Sequence, residues 1–302
     1  MRIVSLLPSS TEIVCALGLE ADLVGRSHEC DYPAGIEALP VLTAPRFDPT
    51  GSSLEVDMRV KEALKEATSV YTIDAEMLER LAPDLVITQT QCEVCAVSFA
   101  EVERVVCDQL HSSAQIVALE PNFLADVFGD IQRVADAVGI PEKGASLVAE
   151  MQTRMQVIVD QTAQVARPRV ATLEWIDPLM SAGNWIPELV EMAGGTNLFG
   201  QAGMHSPWLQ WDELLAADPD MLVILPCGYD IAKAREELAV LELRPEWLAL
   251  RAVQNDHVYV TDGNQYFNRP GPRLAESLEI LAEIMHPDCF CFNHEGSGWE
   301  RL

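Results

Sequence analysis

The chain is 302 residues long, enough for two domains that each bury a core. With 49% apolar and 22% charged residues it is not a disordered chain. Twenty basic residues stand against 47 acidic ones, and the net charge of -27 argues against nucleic acid or an anionic membrane as partner. It leaves a polar neutral ligand, or a cationic patch on another protein.

The amino terminus, MRIVSLLP, has neither the long apolar run nor the small-residue cleavage site of a secretory signal. No apolar run reaches membrane-spanning length, so no membrane insertion is expected. These features predict a cytoplasmic chain whose eight cysteines are reduced. Residues 2–7 predict a buried strand, followed by a helix with Ser9 or Ser10 as N-cap and Gly18 as its stop. A short strand at 22–25 leads into a polar loop, 27–33, that carries His28, Glu29 and Cys30. Residues 34–49 predict a loop, and helical spacing follows over 55–68 and 75–81.

Next comes PDLVITQTQCEVC, 83–95, in which a Pro-Asp pair launches a buried strand that ends in polar Gln89 and then Cys92 and Cys95. Helices are expected at 97–110 and 123–138, with a strand at 115–119 between them. From 142 to 166 an uninterrupted helical pattern carries a stripe of Val148, Met151, Met155, Ile158 and Val159, the mark of core packing. The same order then recurs: strand 169–174, helix 185–193, a 197–200 echo of 22–25, helix 211–217 and strand PDMLVILPCG, 219–228, ending at Cys227. A helix at 233–242, a strand at 257–260 and a helix at 272–285 complete this half, and 286–302 reads as an irregular tail. The expected organisation is an α/β lobe 1–141, a connecting helix 142–166, a second α/β lobe 167–285 and a tail 286–302. Parallel sheets bind ligands outside the carboxyl ends of their strands, so both lobes should present thiols at that edge.

Cys92 and Cys95 have the spacing of half a zinc site or a redox dithiol, or are reduced structural thiols. His28, Cys30 and Cys227 sit in loops on the same predicted rim; together these soft ligands could hold zinc or the metal of a bound chelate. His205 is a further rim residue. Glu174, Trp175, Trp185, Tyr229 and Tyr266 place rings beside polar groups, as small-molecule sites do. NQYFNRPGPR, 264–273, could receive an anionic group or brace the last helix. Cys289 and Cys291, with His286 and His294, suggest a second metal cluster, whereas Cys15 and Cys107 lie on helical faces as packing residues. There is no nucleophile elbow, phosphate loop or dinucleotide fingerprint.

Several stretches together resemble one family: SLLPSSTEIVCALGLEADLVGRSHECDYP, ERLAPDLVI, the 142–166 helix, EMAGGTNLFG and SPWLQWDELLAADPDMLVI. The chain is similar to the substrate-binding proteins of cobalamin and iron-chelate ABC importers. It is most similar to a leaderless cobalamin-binding subgroup that shares TQTQCEVCAVS, LEWIDPL, PCGYD and YFNRPGPR. The resemblance implies two Rossmann-like lobes joined by one long helix, with a ligand cleft between the lobes. It implies ring stacking on Trp175 and Trp208, while Glu29 and Gln89 fall where the importer protein has aromatic residues. It also implies docking of Glu76 and Asp212 on permease arginines, although in a cytoplasmic chain they would be solvated helix charges.

The reading is therefore a monomeric binding protein for a corrinoid (cobalamin-like) or related metal chelate, which it would hand to a protein partner. Two alternatives stay open. One is a zinc protein using His28, Cys92, Cys95 and Cys227; the other is a thiol-dependent enzyme acting on a corrinoid.

Overall fold

A computed structural model describes residues 1–66, 69–90, 98–109 and 113–302. The chain divides into two compact units. The first comprises Met1–Gly51, Glu55–Pro121 and Ala125–Ala149; the second comprises Ser52–Leu54, Asn122–Leu124 and Glu150–Leu302. The helix Pro141–Thr162 carries the chain from the first to the second. It starts one residue earlier and stops four residues sooner than its periodicity predicts. The apolar stripe does pack, with Met151, Met155 and Ile158 each at most 2% exposed.

In the first unit the strands are β1 (Ile3–Ser5), β2 (Leu23–Arg26), β3 (Thr43–Pro45), β4 (Tyr71–Ile73), β5 (Leu85–Gln89) and β6 (Gln115–Leu119). Four of them form a parallel sheet in the order β2-β1-β5-β6. Strands β3 and β4 pair antiparallel beside it; β3 lies inside the stretch 34–49 where the sequence predicts a loop, and β4 in the short link between the two predicted helices. Strand β5 is buried at all five positions, as an apolar run in a covered parallel sheet must be. The helix Pro8–Ala16 has Leu7 as its N-cap and proline in its first turn. Ser9 and Ser10, expected to cap it, lie inside it and are buried. A proline at the first helical position has no N–H to satisfy and a preset φ, so it starts the helix one residue ahead of the serines.

In the second unit the strands are β7 (Arg169–Trp175), β8 (Met180–Ser181), β9 (Thr196–Asn197), β10 (Met221–Ile224), β11 (Val258–Thr261) and β12 (Trp299–Arg301). The sheet order is β12-β11-β10-β7-β8, with β9 also on β7. Strand β9 takes the start of β7 in parallel, and β8 takes its end in antiparallel. The four parallel strands β9-β7-β10-β11 thus repeat the order β2-β1-β5-β6 of the first unit. Strand β9 lies just ahead of where the echo of 22–25 places it, ending at Asn197, the counterpart of Asp22 before β2.

The carboxyl-terminal tail is irregular up to residue 298 but ends in a strand. Strand β12 lies antiparallel on β11, and Trp299, 8% exposed, meets Tyr259 edge-on at 5.7 Å. Among the described residues, no helix is long and apolar enough to cross a membrane.

Candidate functional site

In the first unit, His28 and Glu29 follow the end of β2 and Gln89 ends β5, so all three stand at the carboxyl edge of the parallel sheet. The Thr43 hydroxyl donates to Ser27 Oγ at 3.1 Å. It accepts the His28 backbone N–H at 3.1 Å and lies 2.7 Å from His28 Nδ1. With its one hydrogen committed to Ser27, the hydroxyl accepts from Nδ1–H, which leaves the lone pair on Nε2. Burial, and then the Arg26 guanidinium, hold His28 below its ordinary pKa, so the ring is neutral. The Tyr71 hydroxyl donates to Glu29 Oε1 at 3.1 Å, and its ring lies 5.3 Å from that of His28. Gln89 is 4% exposed.

Cys30 does not belong to this rim. It is 1% exposed, and its sulfur accepts a hydrogen bond from Thr11 Oγ1 at 3.1 Å. Thr11 in turn joins Ser5 and Ser10 in a buried hydroxyl cluster that ties the helix Pro8–Ala16 to β1. Cys15 is half-buried, and burial, with help from Glu20 and Glu12, pushes its thiol up to about 12. Cys107, expected on a packed helical face, is exposed. The turns there widen to a π-helix over Arg104–Gln109, which rotates the predicted face. Cys92 and Cys95 lie outside the described residues.

In the second unit, Trp175 ends β7, Cys227 and Tyr229 follow β10, and Tyr266 follows β11, again at the carboxyl edge. Trp175 is the register partner of Met180, and Met180 bridges in turn to Trp208. Directly opposed residues on neighbouring strands project to one face. The two tryptophans therefore sit two rungs apart, about 10 Å at the usual strand spacing. Trp208 is 51% exposed. Trp175 is half-buried, with its ring 5.3 Å from that of Tyr229. Trp175 Nε1 and the Tyr229 hydroxyl are both buried and, among the described residues, have no hydrogen-bond partner. Burial, and then Glu237, push the Tyr229 phenol up to about 12, so it keeps its proton.

Glu174 Oε2 accepts from Ser206 Oγ at 2.9 Å, and Ser206 Oγ accepts from Gly183 N at 3.0 Å. This ties β7 to the 200–208 loop. The loop needs Gly200 at a φ of +71°, where a Cβ would strike the Ala182 carbonyl oxygen. His205 is exposed, with Nδ1 3.1 Å from the Ser206 carbonyl oxygen.

Two predicted site residues serve as packing. Trp185 is 5% exposed, and its Nε1 donates to the Phe267 carbonyl at 2.8 Å, so its ring belongs to the core. Tyr266 lies under the Arg273 guanidinium at 5.4 Å and against His294 at 6.3 Å. Its loop also fixes Asn268 to the Leu225 and Gly263 carbonyls and Phe267 N to Ser277 Oγ, and so braces the last helix. Tyr71, Thr43 and Ser206 were missed. Their roles come from neighbours distant in sequence, and no spacing signal announces them. Among the described residues, no three His, Cys, Asp or Glu side chains are placed to hold one metal ion. Among the described residues, then, neither His28, Cys30 and Cys227 nor residues 286–294 form such a group; Cys92 and Cys95, the other members of the predicted rim cluster, lie outside the described residues, and zinc has no support.

Residues 3–265 match the family model described as periplasmic binding protein. The chain belongs to that family. It is 25% identical over 298 residues to an uncharacterized ABC transporter substrate-binding lipoprotein of Bacillus subtilis, covering 96% of this chain and 81% of the relative. It is 25% identical over 294 residues to a vitamin B12-binding protein of Vibrio cholerae, covering 94% and 88%. Among solved structures, a periplasmic heme-binding protein of Pseudomonas aeruginosa superposes with a TM-score of 0.72 at 21% identity, covering 95% of this chain and 93% of that one. The expectation of a cytoplasmic protein is overturned here, since these relatives are described as periplasmic or as a lipoprotein. The opening residues carry no information on this point.

Proposed function

We propose that this chain is the substrate-binding component of an ABC importer and that its cargo is a corrinoid or a related planar metal chelate. It would act outside the cytoplasm, as its relatives' descriptions suggest. The observation that carries this reading is the Trp175–Met180–Trp208 rung at the carboxyl edge of the second sheet. Two large rings on one face, one of them exposed, offer stacking area to a flat macrocycle. Trp175 Nε1 and the Tyr229 hydroxyl are buried donors in need of acceptors, which the amide or carboxylate arms of such a ligand carry in number. The neutral His28, with its lone pair on Nε2, supplies a nitrogen suited to an axial metal position; the exposed His205 is the second candidate. Glu29 and Gln89 in the first unit, and Glu174 and Cys227 in the second, offer polar contacts at the carboxyl edge of their own sheets.

Glu76 and Asp212 are exposed in the first turns of the helices Ala75–Leu81 and Trp211–Ala217. We assign them to docking on basic residues of the permease, where acidic side chains at helix N-termini keep their charge. The test is calorimetric titration of Trp175→Ala and Trp208→Ala with hydroxocobalamin and with hemin. Each substitution should weaken binding about tenfold, the scale of one lost stacking contact. Unchanged affinity in both variants for every chelate bound would refute this site.

A further inference from the structure

The chelate reading leaves Cys289 and Cys291 without a role. The helix Leu274–Met285 ends at His286, whose carbonyl accepts from Cys289 N at 2.9 Å and Phe290 N at 3.1 Å. Just beyond, the Glu283 carboxylate accepts from the backbone N–H groups of Phe292, Asn293 and His294. The short stretch from Cys289 to Phe292 is thus pinned at both ends. Within it Phe290 is 6% exposed and stacks on Phe292 at 5.7 Å, whereas Cys289 and Cys291 are both exposed. The two thiols flank a buried ring and stand on the solvent side, one residue apart.

We infer that Cys289 and Cys291 form a two-thiolate site for a soft, thiophilic d10 cation of the copper(I) class. Donor number selects the ion. Tetrahedral zinc needs four ligands, and among the described residues no third His, Cys, Asp or Glu is placed to join the pair. A two-coordinate ion is satisfied by two thiolates, and soft sulfur ligands favour copper(I). A metal bridge asks less of the backbone than a disulfide does. A disulfide must draw its sulfurs to about 2.05 Å and its Cβ atoms to about 4 Å. Residues i and i+2 stand up to about 7 Å apart, so a disulfide here would demand a tight local turn in a stretch already held at both ends by His286 and Glu283. Two thiolate–metal bonds of about 2.3 Å let the sulfurs stay roughly 4.5 Å apart. Binding is a proton exchange: two thiols and one monovalent cation give a bis-thiolate complex of charge minus one and two protons. The protein's net charge of -27 draws cations toward it.

The test is an anaerobic copper(I) titration against a chromophoric chelator. It uses the full chain carrying Cys92→Ser and Cys95→Ser, so that the other closely spaced pair does not compete. One tight equivalent is expected, weakened at least 100-fold by either Cys289→Ser or Cys291→Ser and unchanged by Cys107→Ser. Hydroxocobalamin affinity should be the same in all of these proteins, which separates this site from the proposed chelate site. Equal copper affinity with and without Cys289 and Cys291 would overturn the inference. So would a loss of two thiols and 2 Da on exposure to air before any metal is added, since that marks a disulfide.

Discussion

Glu283 is 5% exposed, yet its two oxygens accept from three consecutive backbone N–H groups, those of Phe292, Asn293 and His294, and from the Trp299 indole at 3.0 Å. A buried carboxylate is tolerated when donors surround it, and here the donors come from a tail that would otherwise leave them unsatisfied. Glu283→Ala should lower stability by about 2 kcal/mol or more in urea denaturation, because the buried Trp299 indole and three part-buried backbone donors lose their acceptor together. Glu283→Gln should lose less, since one amide oxygen still accepts. Side chains like this are hard to read in a sequence. Cys30 looks like a rim thiol because its neighbours are polar, but Thr11, nineteen residues earlier, claims its sulfur. Trp185 looks like a ligand ring until the Phe267 carbonyl, 82 residues away, takes its N–H. Composition marks which residues carry chemistry; burial decides which of them are available for it.

Helix Pro141–Thr162, helix Leu274–Met285 and the tail meet at Glu279. Its carboxylate accepts from Arg154 at 2.8 Å and lies 3.0 Å from His294 Nε2. Burial alone would raise the Glu279 pKa, but hydrogen bonds from His294 and Arg154 outweigh it and hold it below the ordinary 4.5. A carboxyl with a lowered folded-state pKa stabilises the fold above its unfolded value and loses that contribution as pH falls through the lowered one. Glu279→Gln should therefore be less stable than the parent at pH 7, and the gap should narrow as pH falls below the ordinary 4.5; denaturation curves at pH 7, 5 and 3 measure this. Elements with strong periodicity are legible: β5 as a buried apolar run, and the 141–162 helix from its methionine stripe. Strands β3 and β12 are not. Each has three residues, too few for alternation to register, and β12 exists only because β11 offers an open edge to pair with.

At the scale of the whole molecule, two units repeat one parallel strand order, and the residues proposed for cargo stand at the carboxyl edge of each sheet. The repeated Pro-Asp strands make that duplication visible in the sequence. Compartment is not visible there, and the family relatives correct it. The reading rests on the chain holding a macrocyclic chelate, so the first measurement is an anaerobic titration of the intact protein with hydroxocobalamin and, separately, with hemin, followed by visible absorption and heat. The account predicts saturable one-to-one binding of at least one of them, with a shifted metal-centred band that reports a protein ligand. Absence of saturable binding and of any spectral change with either compound would contradict it.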